Sequence, residues 1–514
     1  MSSPFAAAAD QWRERLVALG FTDDGDHLCG PVRWHHSTTD QIHIARVVIR
    51  HGPTFPFLPP KVILLDAGGP FETTFHANAD GSLCLWTDDW AVDQAPWLRP
   101  DVLLDRIGGW LCKSAAGWPG DDDCDLERYL EREHIDRRLV LYDVSALIPD
   151  RAVRTGPGPN PHTIVITNER RRVGDLDTGR RQRRRDRNLA WVADLGCMTS
   201  PLRSWDDVAV ALGPRVAEVG RLIAVGAITH ILFLYVRGTR QGVLVTRVRK
   251  SSNAIRVTAC ESADSSAATC MLRAGSAAPE LLTTRIAIVG CGAIGSFAAD
   301  TLFRAGARRL TLVDGERLRP GNVVRHLAGN RYVGWPKTEA VRACLVAVDA
   351  DVTGIHVPRG PLVDLEEAEA LVRDHQVVLD ATGSGYASSL LATAADSIGR
   401  ATGHAVVSAC VQRDGDVLRV DRMPLRSGEK YLPALPRLDS SIRLQERGCG
   451  STVSPTPPGA VLAAAELAHQ VVVDAALLTC ALPASMAVVR RPQPEPLYNR
   501  MGTVTSDVLR DAAS

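Results

Sequence analysis

From Phe5 to Leu19 apolar residues recur at the spacing of one helix face, and near-alternation follows at Val32–His36 and Ile42–Arg50. The chain is therefore predicted to open with an amphipathic helix and two strands. The run from Gly52 to Lys61 holds four prolines, and each fixes φ and removes a donor, so it cannot be helical. It leads into a predicted strand at Val62–Leu65, and after a loop around Cys84 a helix is predicted over Asp101–Lys113. Residues 1–135 read as an α+β unit.

The pattern then changes. Over residues 136–280 the segments Leu139–Tyr142, Thr163–Thr167, Leu222–Val236, Gly242–Val248 and Ala254–Ala259 look like strands, which makes this middle region β-rich, with no chemistry assigned to it. Nine arginines fall between Arg170 and Arg187, which reads as a solvated loop or as a patch for an anionic partner. Over residues 281–514 strand and helix alternate. Strands are predicted at Arg285–Val289, Leu310–Val313, Gln376–Asp380 and Ala405–Val411, with helices at Ile294–Ala305, from Lys337 and after Ser384. That alternation predicts a doubly wound parallel α/β sheet.

Composition narrows the classes. With 514 residues, 45% hydrophobic, and 59 acidic against 59 basic side chains, the chain is predicted to be a multidomain globular protein. No disordered polyelectrolyte or bulk nucleic-acid binder is expected. The N-terminus lacks a basic segment ahead of its apolar stretch, which argues against a secretory signal and for a cytoplasmic location. The apolar stretch Leu222–Val236 is shorter than the roughly 18–20 residues of a membrane span and contains Thr229 and His230. Twelve cysteines without a C-x-x-C pair argue against a structural zinc site or a disulfide framework. Only five basic residues are lysine, either because of coding bias or because arginine keeps the charge without a nucleophilic amine.

The clearest chemistry is at Gly290-Cys-Gly292-Ala-Ile-Gly295, a G-x-G-x-x-G turn that follows an apolar strand and opens a helix. Its glycines let the backbone approach phosphate oxygens, and the helix N-terminus offers free N–H groups. Asp314 ends the next strand nineteen residues after Gly295, where a carboxylate can accept from ribose hydroxyls. Beyond it, Asn322, Arg325 and Lys337 add an amide, a guanidinium and an ammonium, a cluster suited to a triphosphate being split rather than to a dinucleotide.

On these motifs the region from Arg285 to about Ala476 resembles the ThiF/MoeB family, the adenylating domain shared with ubiquitin-activating enzymes. The resemblance implies that Gly290, Gly292, Gly295, Asp314, Asn322, Arg325 and Lys337 bind ATP, with Mg2+ as companion ion and a homodimer through this domain. The family's magnesium-binding Asp follows the fourth strand; here that position is Gly383, and Asp380 is assigned as the metal carboxylate instead, with Ser384 or a structural cap as alternatives.

Two thiols stand out. Cys449 lies in a poorly apolar loop beside Arg447, ahead of a predicted helix from Gly459 to Leu478, where a lowered pKa would favour reaction. The resemblance gives it the acyl-accepting role of activating enzymes. Cys291, Cys344, Cys410 and Cys480 lie in apolar elements and read as core residues, and Cys29, Cys112 and Cys124 as structural or incidental. Cys84 lies in Gly81-Ser-Leu-Cys84-Leu, after Phe55-Pro-Phe-Leu-Pro-Pro-Lys-Val and His76-Ala-Asn78 and before Trp97-Leu-Arg-Pro-Asp-Val-Leu. These four ordered segments resemble ubiquitin-conjugating enzymes, which implies a thioester at Cys84 and oxyanion support from Asn78. The departures are Ala77 in place of proline and a spacing to the cysteine shorter by two residues.

Together the resemblances imply ATP-dependent activation of a ubiquitin-like modifier, or of a modifier-like C-terminal tail, with thioester relay from Cys449 to Cys84 and conjugation to a target amine. Fusions in this order resemble those of bacterial antiphage operons, which implies a cyclic-oligonucleotide synthase of the CBASS type as target. A sulfur-carrier adenylyltransferase, or an adenylating enzyme with an inactive conjugating-fold module, are the alternatives. A nicotinamide oxidoreductase fits the glycine turn alone.

Overall fold

A computed structural model describes residues 4–36, 41–69, 71, 75–78, 80–86, 95–123, 125–171, 188–251, 254–349, 352–358, 360–436, 444–445, 452–479 and 481–507. The chain divides into two compact units, residues 1–269 and 270–514. The first holds residues 1–135 and nearly all of the middle region.

Helix α1 (Pro4–Ala18) forms where the spacing predicts it, with Trp12 and Leu16 buried. Strands β1 (Thr22–Asp23), β2 (Leu28–His35), β3 (Ile42–Arg50) and β4 (Lys61–Asp66) make an antiparallel sheet in the order β1-β2-β3-β4. Along β2 the positions Leu28, Gly30, Val32 and Trp34 are buried, as period-two alternation requires of a sheet with one covered face. Helix α2 (Pro100–Ala115) supplies the cover with Leu103, Ile107, Trp110 and Leu111. Proline starts it, since the missing N–H is not needed at a first position. The proline-rich turn is pinned by tryptophan donors: Trp97 Nε1 donates to Pro56 O at 2.9 Å, and Trp12 Nε1 to Trp97 O at 2.9 Å.

The middle region builds a second sheet from β5 (Leu139–Tyr142), β6 (Arg151–Pro157), β7 (Thr163–Arg171), β8 (Leu189–Cys197), β9 (Ile228–Arg237), β10 (Arg240–Ser251), β11 (Ala254–Ala259) and β12 (Ser262–Asp264). Its order is β11-β10-β9-β8-β6-β7-β5-β12. Helices α3 (Trp205–Leu212) and α4 (Val216–Ala224) stand between β8 and β9. The expected strand Leu222–Val236 is thus two elements: α4 ends at Ala224, Gly226 turns at φ +71°, and β9 begins at Ile228. A continuous apolar run does not distinguish a buried helix end from a buried strand, and only the glycine marks the join. Strand β8 carries no period-two signal for a related reason, because Leu189–Ala193 are all buried and show no alternation.

Short helix α5 (Ala267–Met271) spans the boundary; in the second unit α6 (Ala278–Leu281) precedes β13 (Arg285–Val289), α7 (Ala293–Arg304), β14 (Arg309–Val313), α8 (Lys337–Val346) and β15 (Ile355–His356). Then come α9 (Leu365–Asp374), β16 (Val377–Asp380), α10 (Gly385–Ala394), α11 (Arg400–Thr402), β17 (Ala405–Gln412) and β18 (Val417–Met423), followed by a small pair, β19 (Leu444–Gln445) and β20 (Thr452–Val453). Helix α12 (Pro458–Ala476), β21 (Ser485–Val489) and β22 (Gly502–Thr505) complete it. The main sheet runs β15-β14-β13-β16-β17-β18-β21-β22, parallel from β15 to β17 and antiparallel beyond.

Both faces of this sheet are covered, as expected of a doubly wound fold. Ile286 and Ile288 of β13 face α7 and α12, whereas Ala287 and Val289 face α9 and α10. Helix α12 has 19 residues and a mean hydropathy of 1.3, long and apolar enough to cross a membrane by length and composition. Its Ala464, Leu467, Ala468, Val471 and Val472 are buried in the core against α7, β17 and β18. Each such Leu or Val contributes about 1.5–3 kcal/mol on burial.

The chain turns from β13 into α7 with little room. A Cβ on Gly295 would stand 1.9 Å from the Gly290 carbonyl oxygen, whereas one on Gly292 would meet nothing within 4 Å. Gly295→Ala is therefore expected to cost on the order of 1–3 kcal/mol by overpacking. Gly292→Ala, also in this motif, should cost about 1 kcal/mol or less. Urea denaturation of both variants checks this, and equal midpoints would contradict it.

Candidate functional site

The glycine turn lies at the carboxyl edge of the parallel strands, between β13 and β16, where the strand order reverses. This is the crevice in which open α/β sheets bind ligands. Gly290 has φ +89° and lies so close to the β16 loop that a Cβ would be 2.8 Å from Ala381 and Thr382. Helix α7 begins at Ala293 with Gly292 as its N-cap and no side-chain cap, so its first amides remain available to an anion.

Asp314 reaches into this turn. Its Oδ2 accepts from Cys291 N at 2.8 Å and its Oδ1 from Glu316 N at 2.7 Å. Burial raises its pKa, and those amides and Lys337 work the other way. Lys337 is brought close because the chain pairs back on itself: Lys337 N donates to Glu316 O at 2.9 Å, and Leu318 and Gly334 bond in the same ladder. Its ammonium is ion-paired with the Glu316 carboxylate. A part-buried glycine cradle, a carboxylate and an ammonium fit a nucleotide's phosphates and ribose.

Two expected contacts are engaged locally. Arg325 Nη1 donates to the carbonyls of Ser454 at 2.8 Å and Thr456 at 3.3 Å, tying the nucleotide region to the segment that leads into α12. Asn322 Oδ1 accepts from Arg319 N at 3.0 Å and caps a short 3-10 turn. His326, which sequence reasoning passed over, is a buried strut. Its Nδ1 accepts from Ala328 N, so its Nε2–H is the donor to Cys291 O at 2.8 Å.

Asp380 departs from expectation. It is 1% exposed, and one oxygen accepts from Thr382 N at 3.1 Å and Thr382 Oγ1 at 2.7 Å, the other from Ser388 Oγ at 2.6 Å and Ser408 Oγ at 3.1 Å. Its carboxylate is saturated by donors, and among the described residues no group of three His, Cys, Asp or Glu stands ready for a metal ion. The residues present do not form a protein-held cation site, and the geometry has Asp380 anchor the β16 loop under Gly290.

In the first unit, residues 76–78 pair with residues 82–84, with Ala77 opposite Leu83; Cys84 N donates to His76 O and Asn78 N to Ser82 O, both at 2.8 Å. Ala77 and Leu83 are buried, so alternation puts His76, Asn78, Ser82 and Cys84 on the other face. His76, not Asn78, is the residue across from Cys84. Asn78 Nδ2 donates to Ser82 Oγ at 2.9 Å, which engages the amide expected to support an oxyanion.

The partner of the thiol was not legible in the sequence. Arg128, in a 3-10 turn over Leu126–Tyr129, directs Nη1 to Cys84 Sγ at 3.2 Å and is held by Asp125 at 2.7 Å and Asp123 at 3.3 Å. Burial raises the Cys84 pKa and Arg128 opposes it. His76 Nε2 is 2.6 Å from Asp121, which is also paired with Arg237 at the end of β9. Burial alone would raise the Asp121 pKa, but hydrogen bonds from His76, Asp123 N and Arg237 hold it below the usual carboxylate range.

Among the expected core thiols, Cys291 is buried and Cys344 and Cys410 are half-buried. Burial pushes Cys410 up to about 11 and raises Cys291 and Cys344. Cys29 and Cys112 are half-buried. Cys449, Arg447, Cys124, Cys480 and residues 172–187 of the arginine-rich run lie outside the described residues.

Two outcomes follow from this geometry. Arg128→Met removes the cation that favours the thiolate, so Cys84 should titrate at higher pH. Its alkylation at pH 8, read by mass spectrometry of the Cys84 peptide, should slow several-fold; an unchanged pH profile would contradict the contact. Asp380→Asn should lower the unfolding free energy by about 1–3 kcal/mol through lost charge-assisted bonds. It should leave the Mg2+ concentration needed for half-maximal pyrophosphate exchange unchanged, whereas a raised requirement would restore a ligand role.

Comparison with known proteins bears on the same region. The ThiF family model matches residues 270–474. The uncharacterized protein y4oA of Sinorhizobium fredii is 32% identical over 219 residues, 38% of this chain and 36% of its own length. The molybdopterin-synthase adenylyltransferase of Escherichia coli is 35% identical over 103 residues, 20% of this chain and 41% of its own length. The ATP-dependent ubiquitin transferase-like protein Cap2 of Enterobacter hormaechei is 29% identical over 119 residues, 23% of this chain and 20% of its own length. The chain thus spans well under half the length of each of these curated relatives. Family match and glycine-turn geometry coincide, and residues 270–474 of this chain carry a ThiF family domain.

Proposed function

We propose that this chain adenylates the C-terminal carboxylate of a ubiquitin-like protein and passes the acyl group through thioesters at Cys449 and then Cys84 to an amine of a target protein. The observation that carries the reading is the Cys84 thiol beside the Arg128 guanidinium, on a hairpin in the unit without the glycine turn. Adenylation alone requires no such thiol. The relative named as an ATP-dependent ubiquitin transferase-like protein supports the same direction.

ATP is the first substrate. The α7 amides and Lys337 hold its phosphates, and Asp314 accepts from the ribose hydroxyls. A carboxylate oxygen of the modifier attacks the α-phosphorus and pyrophosphate leaves; with the ammonium of Lys337 released from Glu316, it stabilises that charge. The Cys449 thiolate then attacks the acyl carbon and AMP departs. Cys84 attacks the resulting thioester and frees the Cys449 thiolate, with Arg128 lowering the cost of a thiolate in a half-buried site. An amine attacks the Cys84 thioester, forming an amide, and its extra proton passes to water as the thiolate leaves.

We place this reaction in the cytoplasm, in a homodimer, with a cyclic-oligonucleotide synthase of an antiphage operon as target. A second reading, adenylation of a sulfur-carrier protein, draws on the molybdopterin-synthase adenylyltransferase relative and would use the nucleotide half alone.

The test is adduct chemistry with ATP, Mg2+ and a ubiquitin-like protein encoded beside this gene. Asp314→Ala and Lys337→Ala should lose pyrophosphate exchange by about 100-fold, the scale of one lost charge-stabilising group. Cys84→Ala should keep exchange and a reductant-sensitive adduct on Cys449, and Cys449→Ala should lose charging of both thiols. Wild-type charging of Cys84 in Cys449→Ala would overturn the relay, and no thioester on either thiol would favour the sulfur-carrier reading.

A further inference from the structure

The second sheet of the first unit contains a cavity of about 220 Å³ that the proposed reaction does not use. That is smaller than the usual 300–1,000 Å³ of drug-sized ligand sites. Strands β9 and β10 set His230 and Arg247 directly opposite each other in its wall. His230 is 4% exposed, its Nδ1 is 2.9 Å from Thr229 Oγ1, and its Nε2 is buried with no hydrogen-bond partner among the described residues. Arg247 bonds Asp136 at 2.5 Å through Nη1, while its Nε is likewise buried and without a partner among them. Arg138 closes a fork on the same Asp136 at 2.8 and 2.7 Å.

One carboxylate therefore holds two guanidiniums side by side. Burial, with Arg247 beside it, pushes the His230 pKa down to about 4, so the ring is neutral near pH 7 and the cavity's charged side chains sum to one positive charge. A buried polar atom left without a partner costs about 1–3 kcal/mol. His230 and Arg247 carry one such atom each, and both residues line this small space, which holds a surplus cation.

We propose that this cavity binds a small phosphomonoester, with its phosphoryl oxygens on Arg138, Arg247 and His230. A tetrahedral oxyanion suits donors that arrive from different strands, whereas a planar carboxylate is best matched by one fork, and the fork of Arg138 is already closed on Asp136. A phosphoryl oxygen accepts from an Nε2–H, and a protonated one donates to an Nε2 lone pair, so either tautomer of His230 is satisfied. Ile164 and Pro157 line part of the remaining wall, beside Thr155, Gly156, Asn188 and Thr229, and leave space for a short organic group.

Calorimetric titration of the full chain with glycerol 3-phosphate, inorganic phosphate and glycerol tests this. Saturable one-to-one binding of glycerol 3-phosphate is expected, tighter than that of inorganic phosphate, with none for glycerol. Arg247→Met should weaken it about tenfold or more, the scale of one lost charged hydrogen bond. Arg138→Gln should do the same and, with that side chain 45% exposed, should not perturb folding. Lys337→Ala, in the nucleotide site, should bind as wild type does. Absence of saturable binding overturns the proposal. So does binding that survives Arg138→Gln and is lost in Lys337→Ala, which would put the phosphate at the glycine turn.

Discussion

The second unit depends on one place where two backbones nearly touch. Gly290 passes so close to Ala381 and Thr382 that no side chain fits between them, and Gly295 lies against the Gly290 carbonyl. That contact holds the ends of β13 and β16 together at the strand-order reversal and aims the start of α7 at the crevice. Everything around it serves to keep it closed. His326 bonds the Cys291 carbonyl from one side, Asp314 the Cys291 amide from another, and Asp380 fastens the opposing loop through Thr382. A carboxylate in the expected metal position's neighbourhood is thus fully occupied with architecture. Removing charge from a buried, saturated carboxylate disturbs its donors first.

The first unit has a comparable hub in Asp121. It joins His76 of the thiol hairpin to Arg237 of β9, and Arg237 also lies over the Phe75 ring at 3.2 Å. The hairpin that carries Cys84 therefore rests on the second sheet as well as on the first. The middle region thus shapes the surroundings of the thiol, since β9 fixes its backdrop while the 3-10 turn ahead of β5 brings Arg128 to the sulfur. Burial and a guanidinium pull the thiol's pKa in opposite directions, and burial prevails. A thiol tuned that way ionises less readily in the resting state.

Several elements were legible residue by residue. Ile42–Arg50, Leu139–Tyr142, Ala254–Ala259 and Arg285–Val289 form strands with the expected bounds, and α7, α8 and α10 lie where the alternation predicts them. These segments carry their own signals of period, glycine punctuation and length. The join between α4 and β9 was not legible, because apolar residues continue through both. The three antiparallel strands β18, β21 and β22 were also unforeseen, since nothing local in their sequence says which edge of a sheet they will extend.

The same division holds for the sites. The sequence alone determined the nucleotide turn, because strand, glycines and helix start are contiguous and the physics of phosphate binding is local to them. It also marked Asp314 by its distance from the turn, and Lys337 and Cys84 by motifs that resemble those of known families. Only the tertiary structure decided what stands beside them. Arg128 is 44 residues from Cys84, Arg237 is 116 from Asp121, His326 is 35 from the carbonyl it holds, and Ser408 is 28 from Asp380. Such partners leave no pattern in the chain. A hydrogen bond is set by distances of about 3 Å in space, and separation along the sequence does not encode it.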